Sequence, residues 1–237
     1  MRAVKPQLEN RMKGLDIKHF AMQSLLMHTD WALENLKTIR TLMERTAVYR
    51  RAMGPVMVVV GVTGLAAGAL GAFLNLTPAL PNVGYWIGVA VVCLLEACWM
   101  IRRQALKDAE SFWSPPMRRV MQAVAPAFFA GAVAGLPFVF LRWETVNAVL
   151  LLMPAWMVFY GFAMHSAGFF MPRGFKLFGW GFVLGGVGVF AAIILGAKNG
   201  FWLSNQAVNW LMGGIFGGAH LAYGLYLHFT EKGGNAS

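Results

Sequence analysis

A chain of 237 residues that is 58% hydrophobic and only 13% charged, with 27 glycines, 18 phenylalanines and 9 tryptophans, lies outside soluble globular usage and reads as a polytopic membrane protein. Its net charge of +10 does not mark a nucleic-acid binder, because the cations stand at the ends of apolar runs, where they report membrane orientation and contact with anionic lipid. Cys93 and Cys98 are its only cysteines and form no CxxC or CxxCH, which excludes thioredoxin-like chemistry and covalent haem attachment. Both fall in one apolar run, about 140° apart around a helix, so they cannot bridge each other.

Residues 1–29 are polar and mixed, with room for one short helix. From Thr29 or Asp30, either one a suitable N-cap, the stretch to Arg51 places Ala32, Leu36, Ile39, Met43 and Ala47 at steps of three and four. Glu34, Lys37, Arg40, Glu44 and Arg45 take the other faces, so 30–51 is expected to be an amphipathic helix lying on the bilayer or on the bundle. The first long apolar run starts only near Pro55, after a polar and basic segment, which is not the layout of a cleaved signal peptide. The expected organisation is a cytoplasmic segment at 1–53, a transmembrane domain at 54–230 and a cytoplasmic tail at 231–237.

Six apolar stretches follow, at 55–75, 84–101, 120–141, 146–170, 177–197 and 206–229, each long enough for a hydrocarbon core of roughly 30 Å. Ten Lys and Arg precede the first, five lie between 102 and 119, two in MPRGFK and one in the tail, leaving Arg142 and Lys198 on the opposite side. The expected fold is therefore all-α, with six transmembrane helices and both termini in the cytoplasm. Gly64 with Gly68, Gly131 with Gly135, Gly181 with Gly185 and Gly213 with Gly217 repeat at the spacing of close helix packing. Such faces also leave a homo-oligomer open. Pro126, Pro137 and Pro154 each remove a backbone donor within an apolar stretch. The two halves of the membrane domain show no repeat beyond shared glycines.

Glu96 is the ionisable residue that the second stretch has to accommodate, six residues before Arg102 and so in its inner half. His165, eight residues before Arg173 on a helix of the same direction, is expected at similar depth and is the candidate partner. His220, Tyr160, Tyr223 and His228 are further donors for a shared polar pocket. Three chemistries follow from this set. A structural Glu–His pair is the plain one, and a proton-coupled carrier or channel using Glu96 with His165 or His220 is the functional one. The third is b-type haem held by His165 with His220 or His228, at offsets of roughly 5–8 Å along the helices before tilt.

Helix four carries His165-Ser166-Ala167-Gly168 and helix six carries Ala219-His220-Leu221-Ala222-Tyr223-Gly224, a pattern similar to the serine and histidine helices of rhomboid proteases. Met164 stands where that family has a glycine, and Ser166 falls near the inner rather than the outer end, so catalysis is not expected. No phosphate-binding loop, HExxH or Cys/His metal spacing is present in the sequence. WALENLKTIRTLMERTAVYR, residues 31–50, and GGIFGGAHLAYGLYL, residues 213–227, resemble uncharacterised six-helix bacterial membrane proteins without an assigned activity. The resemblance implies a bacterial inner-membrane location and singles out the amphipathic helix and His220. The expected function is a non-catalytic membrane protein of regulatory, sensory or accessory type, without a resident metal. It would meet anionic lipid at its cytoplasmic face and offer residues 30–51 and 102–119 to a protein partner.

Overall fold

The computed structural model describes residues 35–36, 52–76, 79–140, 148–171, 173–200 and 203–234. The chain divides into two compact units, Met1–Arg45 and Thr46–Ser237. In the first, Asn35 and Leu36 are described, both helical. The rest of the amphipathic stretch at 30–51 lies outside the described residues.

The described part of the second unit is all-helical, and five of its helices are long and apolar enough to cross a membrane. These are α1 (Ala52–Phe73), α2 (Ala79–Lys107), α3 (Pro115–Phe140), α4 (Ala148–Ala167) and α5 (Arg173–Lys198). The sixth apolar stretch consists of α6 (Asn205–Met212), a π-helical turn (Gly213–Gly217) and α7 (Gly218–Gly234). Gly213 (φ −61°, ψ −45°) and Gly218 (φ −63°, ψ −44°) keep right-handed helical angles at the two junctions, so the three pieces form one continuous rod. Neither α6 nor α7, at 8 and 17 residues, reaches spanning length alone.

Local chemistry sets the ends. Ser204 caps α6, its hydroxyl accepting from the Ala207 N–H at 3.2 Å. Pro115 opens α3, where a missing N–H costs nothing. The basic connection at 102–119, which follows the apolar stretch at 84–101, is largely helix: α2 continues through Lys107 and only 108–114 lies between it and α3. Leu, Arg, Gln and Lys after Ile101 are all strong helix formers, and nothing there stops the helix when the apolar run does. The stop comes at Ala109, whose φ of +52° lets the Glu110 N–H reach back to the Ala105 carbonyl at 2.9 Å.

α4 is the central helix. Half of its apolar window is buried, 50% against 6% for α2, which leaves α2 the most lipid-facing of the five. Met153 and Met157 of α4 join Ala67, Trp86, Phe182 and Met212 in one cluster, while Ala163 and Met164 join Met53, Met57, Val124 and Phe175 in a second. Between helices in lipid the apolar environment supplies no drive to associate, so closeness of fit decides what packs. Glycine supplies it twice. α1 runs antiparallel to the α6–π–α7 rod, with Gly54 against Leu227, Gly61 against Leu221, Gly64 against Gly217, Gly68 against Gly213 and Gly71 against Asn209. α4 and α5 meet antiparallel at Gly161, Gly179 and Gly186, where a Cβ on Gly161 would lie 2.7 Å from the Gly179 carbonyl oxygen.

The expected glycine pairs divide accordingly. Gly64, Gly68, Gly213 and Gly217 form the α1 seam; Gly131 faces Phe159, Gly135 faces Trp156, and Gly185 touches the Met157 methyl. Gly181 has open space around it. The α5 face that meets α4 backbone is offset by two residues on one side and one on the other, at Gly179 and Gly186.

Candidate functional site: an apolar cleft with Tyr160 and His220 in its wall

α1, α2, α3 and α4 supply most of the wall of a cleft of about 450 Å³, within the range of small-molecule sites, and Phe175 of α5 with Met212, Phe216 and His220 of the last rod complete it. Met57 and Val60 of α1, Cys93 and Ala97 of α2, Val124 and Phe128 of α3 are typical of its wall. Along α2 it extends from Trp86 to Ile101 and along α3 from Met117 to Ala132, a run of about 22 Å at 1.5 Å per residue. The lining is almost wholly carbon and sulfur. Cys93 and Cys98, both free thiols, are on it, and the indole N–H groups of Trp86 and Trp156 are already spent on Asn209 Oδ1 (2.8 Å) and the Gly131 carbonyl (3.0 Å).

The polar point in this wall is Tyr160 with His220. The imidazole is 4% exposed, and its Nδ1 lies 2.5 Å from the Phe216 carbonyl oxygen. A carbonyl can only accept, so Nδ1 carries the hydrogen and Nε2 turns its lone pair to the Tyr160 hydroxyl, which donates to it. Phe216 belongs to the π turn, four residues before His220. Gly213 and Gly217 of GGIFG admit the α1 backbone. Phe182 and Phe216 stand edge-on to the Tyr160 ring at centroid distances of 4.9 and 5.5 Å, and Phe178 stands 5.2 Å from the His220 ring. Rings held on several sides cannot rotate freely, so the pair is a fixed feature.

The other sequence candidates are elsewhere. Glu96 does not pair with His165. Its carboxylate takes the Thr63 hydroxyl of α1, at 3.0 and 3.1 Å to its two oxygens, one hydrogen shared between both. Similar depth is not enough for contact: α2 turns Glu96 toward α1, whereas His165 lies on α4 with its ring edge-on to Phe169 (5.6 Å) and Trp180 (5.5 Å). The His165 Nδ1 is buried without a hydrogen-bond partner, as is the Tyr223 hydroxyl, whose ring stacks on Phe178 at 4.8 Å. His228 is exposed beside Phe229. Glu96 is half-buried and is not part of the cleft wall, although its neighbours Cys93, Leu94, Ala97 and Cys98 are. The structure brings together Tyr160 and His220 alone among the predicted set.

Those placements bear on haem. Both ring nitrogens of His220 have protein partners, so an iron there would first have to displace the Tyr160 hydroxyl. Among the described residues no group of three or more His, Cys, Asp or Glu is disposed to hold a metal ion.

Sequence reasoning missed a second polar centre. Asn209, fully buried in the middle of α6, accepts from Trp86 Nε1 at 2.8 Å and from Asn82 Nδ2 at 3.5 Å, and donates to the Gly71 carbonyl at 3.3 Å. Tyr85 adds a bond to the Ala67 carbonyl at 2.6 Å. This clasp ties α1, α2 and α6 together at the Trp86 end of the cleft. Asn209, inside the sixth apolar stretch, was the available signal, since its amide cannot face lipid unpaired; Asn82 lies just before the second stretch. No protein-family model, curated protein or solved structure matches the chain.

Proposed function

We propose that this is a non-catalytic integral membrane protein of regulatory, sensory or accessory type whose working part is the cleft, where it holds an apolar molecule taken laterally from the bilayer. The observation that carries this reading is the cleft itself: elongated, lined by methionine, aliphatic and aromatic side chains, and walled on one side by the least buried helix, α2. Six spans with both termini in the cytoplasm complete the reading. The α6–π–α7 rod lies beside α1 from Gly54 to Gly71, so it crosses whatever α1 crosses. Eighteen of twenty Lys and Arg then fall on one side. The bacterial inner membrane as location rests on the resemblance of residues 31–50 and 213–227 alone. A proton-coupled carrier built on Glu96 draws less support, because its carboxylate is turned to Thr63 and away from the cleft wall.

The test is extraction. Protein purified in mild detergent, then delipidated and analysed by native mass spectrometry, should retain an apolar molecule at close to one per chain. Ala97→Phe and Ala127→Phe, which fill the cleft from opposite walls, should lose it while eluting as the same species. Retention unchanged in both filled variants, or no retained molecule in the unmodified protein, would overturn the proposal.

A further inference from the structure

We infer that an apolar molecule enters and leaves the cleft through the seam between α2 and α3, a lateral mouth; this rests on the reading of the cleft as a site for such a molecule. The exposure of the lining is lopsided. Met57 of α1 and Met212 of the last rod face the cavity and are only 4% and 5% exposed, so the cavity alone leaves a side chain almost covered. Ile87, Val91 and Leu94 of α2 face the same cavity at 40–49%, and Met121 of α3 at 36%. The difference is a second surface turned out of the bundle. Ala90 and Ala132, small residues of the two lips, are exposed in the same way. The cavity therefore reaches the outside between α2 and α3, whereas Val56 and Gly64 of α1 and Met164 of α4 are buried in its wall.

The hydrogen bonds are distributed to match. Three other seams around the cleft are each crossed by one: Thr63 to Glu96 between α1 and α2, Trp156 to the Gly131 carbonyl between α3 and α4, and Tyr160 to His220 between α4 and the last rod. The α3 lining is methionine, valine, alanine, phenylalanine and glycine, with no polar side chain to tie it to α2. Glu96 thus fastens one edge of α2 while the other edge stays free. The ends of α2 are fixed as well, one by the Asn82–Trp86–Asn209 clasp and the other by the short connection to α3 at 108–114. Between those fastenings, parting the lips costs little, because lipid is as apolar as the surfaces it would meet. Met121 is unbranched and swings aside readily. Pro126, between Met121 and Ala132, leaves the Gln122 carbonyl without its helical partner and gives α3 a point at which to bend.

The test bridges the mouth. In the full chain carrying Cys93→Ala and Cys98→Ala, Leu94→Cys and Met121→Cys are joined by a flexible bifunctional thiol reagent that reduction cleaves. A control bridge joins Ala66→Cys of α1 to Val92→Cys of α2, exposed positions that do not line the cleft. The probe is a small aryl diazirine photolabel dissolved in the bilayer. Its adducts at Met57 and Val124, in the cleft wall, are measured against those at Leu95 and Trp99, on the exposed face of α2. The α2–α3 bridge should abolish the cleft adducts, reduction should restore them, and the control bridge should leave them unchanged. Probe loaded before the α2–α3 bridge is closed should stay trapped through washing, which a bridge that simply filled the cleft would not allow. Cleft adducts that persist under the α2–α3 bridge, or that vanish under the control bridge, overturn the route and leave the cleft as an apolar site. No cleft adducts in the unbridged protein would overturn the route together with the reading on which it rests.

Discussion

Replacing Gly68 by alanine should separate two helices that now touch backbone to backbone. A Cβ at that position would lie 2.6 Å from the Gly213 Cα and 3.1 Å from the Asn209 carbonyl oxygen. Both obstacles are main chain, so no rotamer change relieves them, and ordinary carbon contact at about 3.7 Å requires α1 to move by roughly 1 Å. On one side the Gly64–Gly217 and Gly61–Leu221 approaches open with it, and on the other the Gly71–Asn209 approach. A 1 Å gap forfeits a quarter to a half of a well that is about 0.1–0.2 kcal/mol per atom pair, which over some tens of pairs along the seam comes to roughly 1–3 kcal/mol. Overpacking strain of similar size adds to this, for a total of about 2–6 kcal/mol. Gly181→Ala is the matched control, because nothing lies within 4 Å of its added carbon. Alanine's higher helix propensity should there leave stability unchanged or raise it by up to about 1 kcal/mol. Thermal unfolding of both variants in the same detergent, followed by loss of the helical circular dichroism signal, gives the comparison. Equal midpoints for G68A and G181A would refute the assignment of the seam, and with it the full-length pairing of α1 with the last rod.

Three further outcomes follow from single contacts. Asn209→Ala strands the Trp86 indole N–H and the Gly71 carbonyl inside the protein; it should cost about 2–4 kcal/mol and shift Trp fluorescence, and a loss under about 0.5 kcal/mol would mean that the clasp is not a fastening. Thr63→Val removes the donor to Glu96 and should destabilise by about 1–3 kcal/mol, whereas Thr63→Ser, which keeps a hydroxyl, should cost under half as much. Comparable losses in the two would show that the contact is packing alone. Ala109→Gly relieves a left-handed residue at φ +52° and should stabilise by about 1 kcal/mol in the same melt, and any destabilisation contradicts that backbone.

Composition, the lengths of the apolar runs and the placing of Lys and Arg were sufficient for an all-helical membrane architecture, because in lipid every backbone group has to be bonded within its own segment and only the number of apolar residues decides where a helix can cross. The seam glycines of α1 and of the last rod were legible for a similar reason: small residues four apart make a smooth stripe whatever lies beyond it. Spacing could not say which stripes find a partner. Gly181 and Gly185 carry the same pattern, yet α4 backbone meets Gly179 and Gly186 instead, since the rotation of α5 about its axis is set by its neighbours and not by its own sequence. The same limit governed the polar residues. Depth along a helix can be counted from the cationic flanks, but azimuth cannot, and a turn of the helix separates an acid facing an imidazole from one facing a threonine. Tertiary packing decided that Glu96 meets Thr63, that the His220 imidazole lies between the Phe216 carbonyl and the Tyr160 hydroxyl, and that the helices leave an apolar cleft between them.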